Sequence, residues 1–593
     1  GLVEQGGSRR GALMLILNDW HPDILEFVEA KRDMGAMTNA NISVGVSNAF
    51  IEAVKNDEDW DLVFPDTSNE YYSEFWDGDI KRWKEIGGEV RVYKTIKARD
   101  LWDKMMESAW LSAEPGVVFL ERMNDMSNSW YFETIHATNP CAEQPLPPWG
   151  VCNLGHINLS RFVTGPIGKG QFEWEELETV IRDSVRFLDN VIDITPYFLE
   201  ENKIVQMNQR RIGLGTMGLG EALIRLGLRY GSDEAIDFVH KLYQVIANTA
   251  YQASATLAYE KGSFPKFEKE KFLQGKFVQR LNDTTLKMIE KYGMRNVALL
   301  TQAPTGSTGT MIGTSTGIEP YYSWTYWRKG RLGTNEVREK IVDEYFNENP
   351  HLEKEISNLP DYFVTAMELT PQEHLKMQAA IQQWTDSSIS KTINLPKDYP
   401  LEACKELYIQ AYDLGCKGVT IYRDGSRDEQ VLSVDTKKEA ESPSTPWTSR
   451  PKVLMGATHE YATPVGKAFI TVNRLEDRLV EVFLNIGKAG SDVAAMSEAL
   501  GRLSTLFLKY AALEEEAKLQ LLVDHLSDIG GSNSIGMGPN RILSLPDAMS
   551  KVFKSYLGRG AKVESDLCPS CGQASLIHKE GCYGCNNCGF SRC

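Results

Sequence analysis

Two thiols and one carboxylate lie within twelve residues of the chain and could form a reactive centre. Cys141 stands two residues before Glu143, and Cys152 follows eleven residues after Cys141. Pro140 and Pro145 flank the first thiol, and prolines forbid a helix and favour a projecting loop. Catalytic groups are common on loops that a rigid scaffold holds in place. The pattern therefore indicates a reactive site rather than a single buried cysteine.

A second concentration of thiols lies at the end of the chain, where the last 26 residues hold six of the ten cysteines. These six are Cys568, Cys571, Cys582, Cys585, Cys588 and Cys593. The pairs at 568/571 and 585/588 have the spacing of a zinc ribbon, in which four thiolates form a closed tetrahedral site. We therefore predict Zn²⁺ in this tail, and which four cysteines bind it stays open.

Composition limits the class of protein. A chain of 593 residues exceeds the usual size of one domain, so several domains are expected. A net charge of -17 argues against binding of polymeric nucleic acid, which usually needs a basic face. No apolar run approaches the ~18 residues that a membrane span needs. Cysteines clustered for metal or redox chemistry, rather than spread as a disulfide framework, indicate a cytoplasmic protein.

Alternating strand-like and helical patterns must position the thiols. Over residues 1–430 these patterns predict an α/β architecture. Buried strands are expected at 117–120 and 297–300, and apolar spacing near 3.6 predicts helices at 177–199 and 233–259.

The rest of the chain divides into smaller parts. Residues 431–450 are polar and rich in Pro and Ser, which predicts a linker. Residues 451–560 form a small α+β domain, and 566–593 form the cysteine-rich tail. Within the small domain, apolar patterns predict strands at 469–472 and 480–484 and a helix at 494–512.

A glycine pattern at 213–218 matches the dinucleotide-binding fingerprint letter for letter. That motif requires a buried strand immediately before it, and Gln209–Ile212 is too polar to be one. We therefore reject dinucleotide binding and expect these glycines to allow a close contact between a helix and a loop.

Four motifs, in the same order along residues 1–430, closely resemble those of ribonucleotide reductases. The active-site finger loop of the adenosylcobalamin-dependent class is resembled by Thr138–Leu146 with Cys152–Leu159. The specificity loop and the segment after it are resembled by Gln5–Ala12 with Trp20–Asp23. The phosphate loop with its adjoining turn is resembled by Ala303–Ser307 with Gly317–Pro320, and the end of the barrel by Cys416–Arg427.

The resemblance implies a fold and a set of roles. The fold would be part of a ten-stranded α/β barrel with a finger loop. Cys141 would become a thiyl radical that abstracts the 3′ hydrogen of a ribonucleotide. Glu143 would accept the 3′-hydroxyl proton, and Asn139 would orient substrate hydroxyls. Cys152 would be one of two reducing thiols. Its partner in the family lies ahead of residue 1, whereas Cys404 and Cys416 are expected to be structural.

Two loops would bind nucleotides. The substrate phosphates would contact Pro304, Thr305, Gly306, Ser307 and Thr308. The specificity loop would comprise Gly6, Gly7, Ser8, Arg9 and Arg10. Here the phosphate loop departs from the usual family pattern, which leaves the number of phosphate-binding hydroxyls open. His156 replaces the usual Ser of the family, and we expect it to be structural.

The resemblance also implies a reaction and partners. The enzyme would reduce ribonucleotides to 2′-deoxyribonucleotides with adenosylcobalamin as its cofactor. The zinc-ribbon tail favours diphosphate substrates, and the choice between diphosphates and triphosphates stays open. Its partners would be the ribonucleotide substrate, deoxynucleotide or ATP effectors, a thioredoxin-like reductant and a second copy in a homodimer. Cys582 and Cys593 would shuttle electrons to the active site.

The position of the specificity loop five residues after the start leads us to expect a carboxy-terminal portion, from a fragment or a split enzyme. This portion would be inactive without an amino-terminal half. The alternative is a non-catalytic zinc-ribbon subunit, with a binding or regulatory role, on a decayed reductase scaffold.

Overall fold

The structure is a computed structural model. It describes residues 4–5, 9–10, 12–32, 40–330, 333–426, 451–475, 478–486, 492–511, 513–531, 533–536, 541–557, 576–579, 582–585 and 590–592. The chain divides into two compact units, Gly1–Val434 and Asp435–Cys593. Within the described ranges, no helix combines the length and the apolar character that crossing a membrane would require.

A five-stranded sheet forms much of the frame of the first unit. Leu13–Asn18, Ala40–Gly45 and Gly116–Val118 are mutually parallel. Thr392–Leu395 and Gly418–Arg423 are parallel to each other, and the latter runs antiparallel to Gly116–Val118. These strands are rich in Val, Ile and Leu, and the inner ones are largely buried, whereas Leu13 and Leu15 of the edge strand are exposed. Val44, Val117 and Ile393 accordingly share one buried cluster.

A second parallel pair consists of Leu154–Asn158 and Gly213–Met217. Isolated parallel bridges extend this pair toward the larger sheet, joining Leu214 to Leu300 and Gln302 to Ile389. The first unit therefore contains two groups of parallel strands that run in opposite directions. With helices packed around them, these strands confirm the predicted α/β class.

The two long helices that were predicted are present. Trp174–Ile194 buries Leu177, Ile181, Val185 and Leu188, which follow one another by three or four residues and so occupy one face. The helix ends before Pro196, earlier than the predicted Leu199, because proline and the residue before it disfavour helical geometry. Asp233–Lys261 extends two residues beyond the predicted end.

The remaining elements of the first unit complete the frame. The other α-helices are Ile24–Glu29, Asn48–Asn56, Tyr72–Phe75, Ile80–Glu85, Ala98–Ser112, Leu120–Asp125, Glu200–Gln209, Leu219–Leu226, Lys269–Leu273, Asp283–Tyr292, Gly306–Ile312, Lys340–Glu348, Pro371–Gln382 and Leu401–Asp413. The other strands are Glu4–Gln5, Arg9–Arg10, Asp59–Pro65, Val90–Lys97, Ala137–Thr138, Pro145–Leu146, Val163–Thr164, Gln171–Phe172, Thr325–Gly330 and Gly333–Arg338. Short 3₁₀ helices cover Leu159–Phe162, Val278–Arg280 and Ile356–Asn358.

The interpretation of the glycines at 213–218 was wrong for Gly213 and Gly215, whereas Gly218 does precede a helix and lies close to Asn158 and Thr314. Gly213 and Gly215 lie in the buried strand Gly213–Met217, not between a helix and a loop. A Cβ atom on Gly213 would lie 2.5 Å from Nε2 of Gln144, and one on Gly215 would lie 2.4 Å from the carbonyl oxygen of Thr301. These glycines therefore allow neighbouring segments to approach the inner face of a strand.

Strand predictions elsewhere were correct in part. The strand expected at 117–120 is Gly116–Val118, and Leu120 already begins a helix. The segment 297–300 is buried, but it pairs through the isolated bridge at Leu300 rather than through a regular ladder.

The second unit contains an antiparallel sheet of Met455–Thr463, Gly466–Leu475 and Arg478–Ile486. Its helices are Asp492–Tyr510, Glu515–Leu526 and Leu545–Lys554. Both predicted strands lie within these elements. The helix predicted at 494–512 begins two residues earlier, at Asp492, and ends at Tyr510.

The tail is described as three antiparallel strands, Leu576–Lys579, Cys582–Cys585 and Ser591–Arg592. Cys582 and Cys585 lie at the ends of the middle strand. The predicted linker at 431–450 lies outside the described residues, as do Cys568, Cys571, Cys588 and Cys593.

Candidate functional site

A short hairpin presents the first thiol. Ala137–Thr138 pairs with Pro145–Leu146, and the residues between them form the tip. The backbone N–H of Asn139 donates to the carbonyl of Gln144 at 3.1 Å, and Oδ1 of Asn139 accepts from the N–H of Gln144 at 2.9 Å. These reciprocal bonds close the tip, which corresponds to the predicted finger loop.

The finger loop is anchored to strands on both sides. The carbonyl of Glu143 accepts hydrogen bonds from Oγ1 of Thr301 at 2.7 Å and from the N–H of Ser388 at 2.9 Å. Nδ2 of Asn41 donates to the carbonyl of Pro140 at 3.3 Å. Because three distant segments hold the backbone of the tip, its side chains keep a defined position.

Glu143 is the buried member of the site, with only 3% of its surface exposed. Burial raises the pKa of its carboxyl group, while hydrogen bonding from Asn139 acts in the opposite direction. Its Oε2 atom is enclosed and has no hydrogen-bond partner within the described part of the chain. The carboxylate therefore retains an acceptor for a proton donor that enters the site.

Cys141 and Cys152 both interact electrostatically with this carboxylate. The two residues are exposed, yet partial burial of their thiols, and to a smaller extent the negative charge of Glu143, raise the pKa of each thiol to about 11. The structure thus brings together the three reactive groups that the sequence places in one segment.

Two buried charges near Cys152 were not singled out from the sequence. The guanidinium of Arg211 lowers the pKa of the Cys152 thiol, against the effect of burial. Nη2 of Arg211 donates to Oε1 of Glu133 at 2.6 Å, and both side chains are almost wholly buried. The adjacent Arg210 and Arg211, just before the glycines at 213–218, were the sequence signal for these charges. A buried arginine is rare without a charged partner.

His156 lies in the strand that follows Cys152. Burial lowers the pKa of its imidazole to about 4, so the ring is neutral near pH 7. Its Nε2 is enclosed and has no hydrogen-bond partner among the described residues. It packs against Gly215, where a Cβ atom would lie 2.9 Å from Nε2.

The predicted phosphate loop leads into the helix Gly306–Ile312. Thr305 has a positive φ of 48°, and its Oγ1 accepts a hydrogen bond from the N–H of Gly317 at 2.7 Å. Gly306, Ser307 and Thr308 are exposed. The first N–H groups of a helix lack internal partners, so this exposed turn can donate to an anion.

An ion pair supports the turn that adjoins this loop. Nζ of Lys391 bonds to Oε2 of Glu319, and Oε1 of Glu319 accepts the N–H of Thr392 at 2.7 Å. Lys391 also lies 3.0 Å from Nδ1 of His374, whose pKa is lowered to about 3 chiefly by burial and further by the lysine charge. Glu319 thereby joins the phosphate-loop region to the strand Thr392–Leu395.

The other predicted site residues are placed as follows. Cys404 and Cys416 are completely buried in one hydrophobic cluster, in agreement with a structural role. Arg9 and Arg10 form a strand paired with Glu4–Gln5, while residues 6–8 lie outside the described ranges.

A cavity of about 950 Å³ opens at the carboxyl ends of the strands Leu13–Asn18 and Ala40–Gly45. Glu133 is among its lining residues. Glu133 bonds to Arg211, so the wall of the cavity includes one member of this buried ion pair. The carboxyl ends of parallel strands are a common place for ligand binding.

Comparison with known proteins identifies the family. Residues 1–422 match the family described as "Ribonucleotide reductase, barrel domain", and residues 438–557 match the "TSCPD domain". A protein of Thermoplasma acidophilum named "Vitamin B12-dependent ribonucleoside-diphosphate reductase" is 35% identical over 495 residues, covering 79% of this chain and 59% of that protein.

Two other relatives extend the comparison. A protein of the same name from Mycobacterium tuberculosis is 34% identical over 459 residues, which cover 74% of this chain and 59% of the relative. The "Ribonucleoside-diphosphate reductase subunit alpha" of Chlamydia muridarum is 28% identical over 523 residues, 78% of this chain and 49% of that protein. The chain spans about three fifths or less of the length of these curated relatives. Its match over residues 1–422 nevertheless shows that the chain belongs to the ribonucleotide reductase barrel-domain family.

Proposed function

We propose that this chain is the catalytic portion of an adenosylcobalamin-dependent reductase that converts ribonucleoside diphosphates to 2′-deoxyribonucleotides. The names of the relatives support the cofactor and the diphosphate substrate. The observation that carries the proposal is the juxtaposition of Cys141 and Cys152 with the buried carboxylate of Glu143.

Cys141 acts in its protonated form. A thiol can give up a hydrogen atom, whereas a thiolate has none on its sulfur. With a pKa raised to about 11, the thiol keeps its hydrogen near pH 7. The S–H bond is similar in strength to the activated C–H bond at the 3′ carbon, so hydrogen transfer between substrate and Cys141 is reversible.

Glu143 acts as the base that receives the 3′-hydroxyl proton. Its backbone is held by Thr301 and Ser388, and its buried Oε2 has no hydrogen-bond partner within the described part of the chain. Burial raises its pKa and therefore makes the carboxylate a better proton acceptor. The Asn139 amide orients the substrate hydroxyls from the same tip.

The proposed cofactor is compatible with a protonated Cys141 thiol. When bound, adenosylcobalamin supplies the organic radical that removes the hydrogen atom from a thiol. Cys141 is exposed at the tip of an anchored hairpin, which suits contact between its sulfur and a bound cofactor. The phosphate loop at 304–308 binds the substrate phosphates, and residues 6–10 relate effector identity to substrate choice.

The remaining assignments extend the proposal. The tail binds Zn²⁺ through Cys568, Cys571, Cys585 and Cys588, while Cys582 and Cys593 pass electrons from a thioredoxin-like dithiol protein. Deoxynucleotides or ATP regulate the enzyme, which acts as a homodimer in the cytoplasm with the amino-terminal portion that the relatives carry. Metal analysis of the purified chain tests the proposed zinc site. Less than one zinc ion per chain would contradict that site without affecting the proposed reaction.

The reaction is tested with the chain co-expressed with that amino-terminal portion. We expect deoxyribonucleotide from a ribonucleoside diphosphate, adenosylcobalamin and a dithiol reductant. Product should disappear with Cys141→Ser and fall strongly with Glu143→Gln. Cys404→Ala, which removes a buried thiol elsewhere, serves as the control. Absence of product from the wild-type pair, or normal turnover in Cys141→Ser, would refute the proposal and favour a non-catalytic scaffold.

A further inference from the structure

The helix Asp492–Tyr510 of the second unit packs on the sheet with one of its faces. Oγ1 of Thr505 accepts a hydrogen bond from the N–H of Val482 at 2.9 Å and donates to the carbonyl of the same residue at 3.2 Å. Val482 lies in Arg478–Ile486, an outer strand of the three-stranded sheet, so the helix covers the open edge of that strand. The buried side chains of this helix face are Ser497, Ser504 and Leu508.

A second apolar stripe runs along the opposite face of this helix and is exposed. We call its residues, Met496, Ala499, Leu503, Leu506 and Tyr510, the outer seam. They follow one another by three or four positions in alternation, which is the spacing of the a and d positions of paired helices. At 3.6 residues per turn, the outer seam is centred ~150° around the helix from the buried face. Met496 is 75% exposed, Leu503 63%, and Leu506 and Tyr510 52% each.

The charges beside the outer seam are engaged within the unit. Glu498 and Arg502 form an ion pair with each other, and Nζ of Lys509 lies 3.3 Å from Oε1 of Glu481 in the sheet. The outer seam itself consists of apolar side chains and one tyrosine. A surface helix normally carries polar residues opposite its buried stripe, and contiguous exposed apolar surface marks a site of interaction. The outer seam therefore indicates a surface that an apolar partner covers.

The order of side chains along the outer seam suits a second copy of the same helix in antiparallel orientation. A twofold axis at Leu503 sets this residue against itself and sets Met496 against Tyr510. The same axis sets Ala499 against the half-buried Phe507. A small residue then faces a large one, and a thioether faces an aromatic ring, which is a favourable contact. In a parallel pair, by contrast, Ala499 would face Ala499 and leave a gap. The outer seam is thus self-complementary in the way that a twofold interface requires.

The area of the outer seam is sufficient for a pair of helices. Exposed fractions of 52% to 75% for its four large side chains amount to roughly 500 Å² per copy, or about 1,000 Å² in a symmetric pair. This total is near the lower limit for a specific interface, so the association should be reversible. Because the helix is already folded against the sheet, pairing requires no ordering of the helix itself.

We propose that the outer seam is a homodimer interface, in which the same helix of a second copy packs antiparallel about a twofold axis at Leu503. This inference gives a surface to the homodimer named in the proposed function and rests on that assignment of a second copy. It is independent of the proposed reaction, and its test requires neither cofactor nor turnover.

The first test measures the mass of the full chain by sedimentation under reducing conditions, at roughly 10–100 μM, where an interface of this size should be populated. We expect a reversible dimer of the wild-type chain. In Leu503→Glu two like charges meet at the twofold axis, so the dissociation constant should rise at least ~100-fold. Met455→Glu, which alters a residue that is 71% exposed in the strand Met455–Thr463, should leave the constant unchanged. A mixture of Leu503→Glu and Leu503→Lys chains should dimerise again, because opposite charges then meet at the axis.

The second test determines the orientation of the two helices by cross-linking with a short bismaleimide. Met496→Cys chains are mixed with isotopically labelled Tyr510→Cys chains, and cross-linked peptides are identified by mass spectrometry. We expect the mixture to give a link between positions 496 and 510 of different copies. Neither variant alone should link to itself at the new cysteine, because equivalent ends of an antiparallel pair lie ~20 Å apart at 1.5 Å per residue.

Three results would overturn the proposal. A wild-type chain that stays monomeric at these concentrations would show that no second copy binds the outer seam. A Leu503→Glu chain that dimerises as the wild type does would place the homodimer on another surface. Links between identical positions, in place of the mixed link, would exclude the antiparallel arrangement. Each result leaves the reductase assay unaffected, so failure of this inference is distinguishable from failure of the proposed function.

Discussion

Replacement of Gly215 by alanine should displace the anchor of the finger loop. A Cβ atom at this position would lie 2.4 Å from the carbonyl oxygen of Thr301 and 2.8 Å from Cδ2 of His156. The first contact is with backbone, which cannot rotate away. Thr301 holds the carbonyl of Glu143 through a 2.7 Å hydrogen bond, so its displacement is transmitted to the finger loop.

The expected loss of folding stability follows from this geometry. Overpacking of a buried site destabilises a protein by ~1–3 kcal/mol, and the contact with backbone places Gly215→Ala toward the upper end of this range. Alanine also lowers the conformational entropy of the unfolded chain, which stabilises the folded protein by ~0.4–1 kcal/mol. A net loss of ~2 kcal/mol corresponds to about a 30-fold increase in the equilibrium constant for local opening of this region at 25 °C.

Hydrogen exchange measures this opening locally. The N–H of Leu214 donates to Leu299, and the N–H of Thr301 donates to Leu214. Peptides that cover these amides should lose about 30-fold in protection in Gly215→Ala, in line with the free energy above. Turnover of the reconstituted reductase should fall with it.

Gly155→Ala is the matched control from the adjacent strand. Its Cβ atom would approach only the Leu188 side chain, at 3.3 Å or more, and that side chain can adjust. We expect a change of less than ~1 kcal/mol. Equal protection in the two variants would refute the conclusion that the inner face of Gly213–Met217 must be free of side chains.

Three further predictions concern the same site. Thr301→Val should destabilise the first unit by ~1 kcal/mol, because the carbonyl of Glu143 loses one of two donors, and Thr301→Ser should restore the urea midpoint. Glu143→Gln should accelerate disulfide exchange at both Cys141 and Cys152, since the charge that raises their pKa values is removed, and unchanged rates would contradict this. The unfolded chain binds a proton at His156 near pH 6.5 whereas the folded chain does so only near pH 4, so stability should decline as the pH falls between these values. His156→Gln should lessen that decline in unfolding curves recorded from pH 7 to 4, and an equal decline would contradict the assignment.

Local sequence was sufficient to locate the reactive groups. Cys141, Glu143 and Cys152 are close in the chain, and prolines restrict the loop between them, so their proximity required little knowledge of the fold. The long helices were likewise readable, because apolar residues at helical spacing report directly on one buried face. The family resemblance followed from motif order alone and agrees with the match over residues 1–422.

The surroundings of these groups depended on contacts between residues far apart in the chain. Thr301 and Ser388 hold the backbone of Glu143 from 158 and 245 positions away in the numbering, and neither stands in a distinctive motif for this role. The glycines at 213 and 215 were assigned to the wrong geometry, because the same letters suit a strand or a loop until the neighbour across the sheet is known.

The sequence by itself therefore determined which chemistry the chain carries, since reactive side chains and their spacing are local properties. Only the tertiary structure decided how these groups are held and how they titrate. Thr301 and Ser388 reach the backbone of Glu143 from distant segments, and burial together with the charge of Glu143 raises the pKa of both thiols to about 11. Strand register is a long-range property, and electrostatic effects depend on distance in space rather than along the chain.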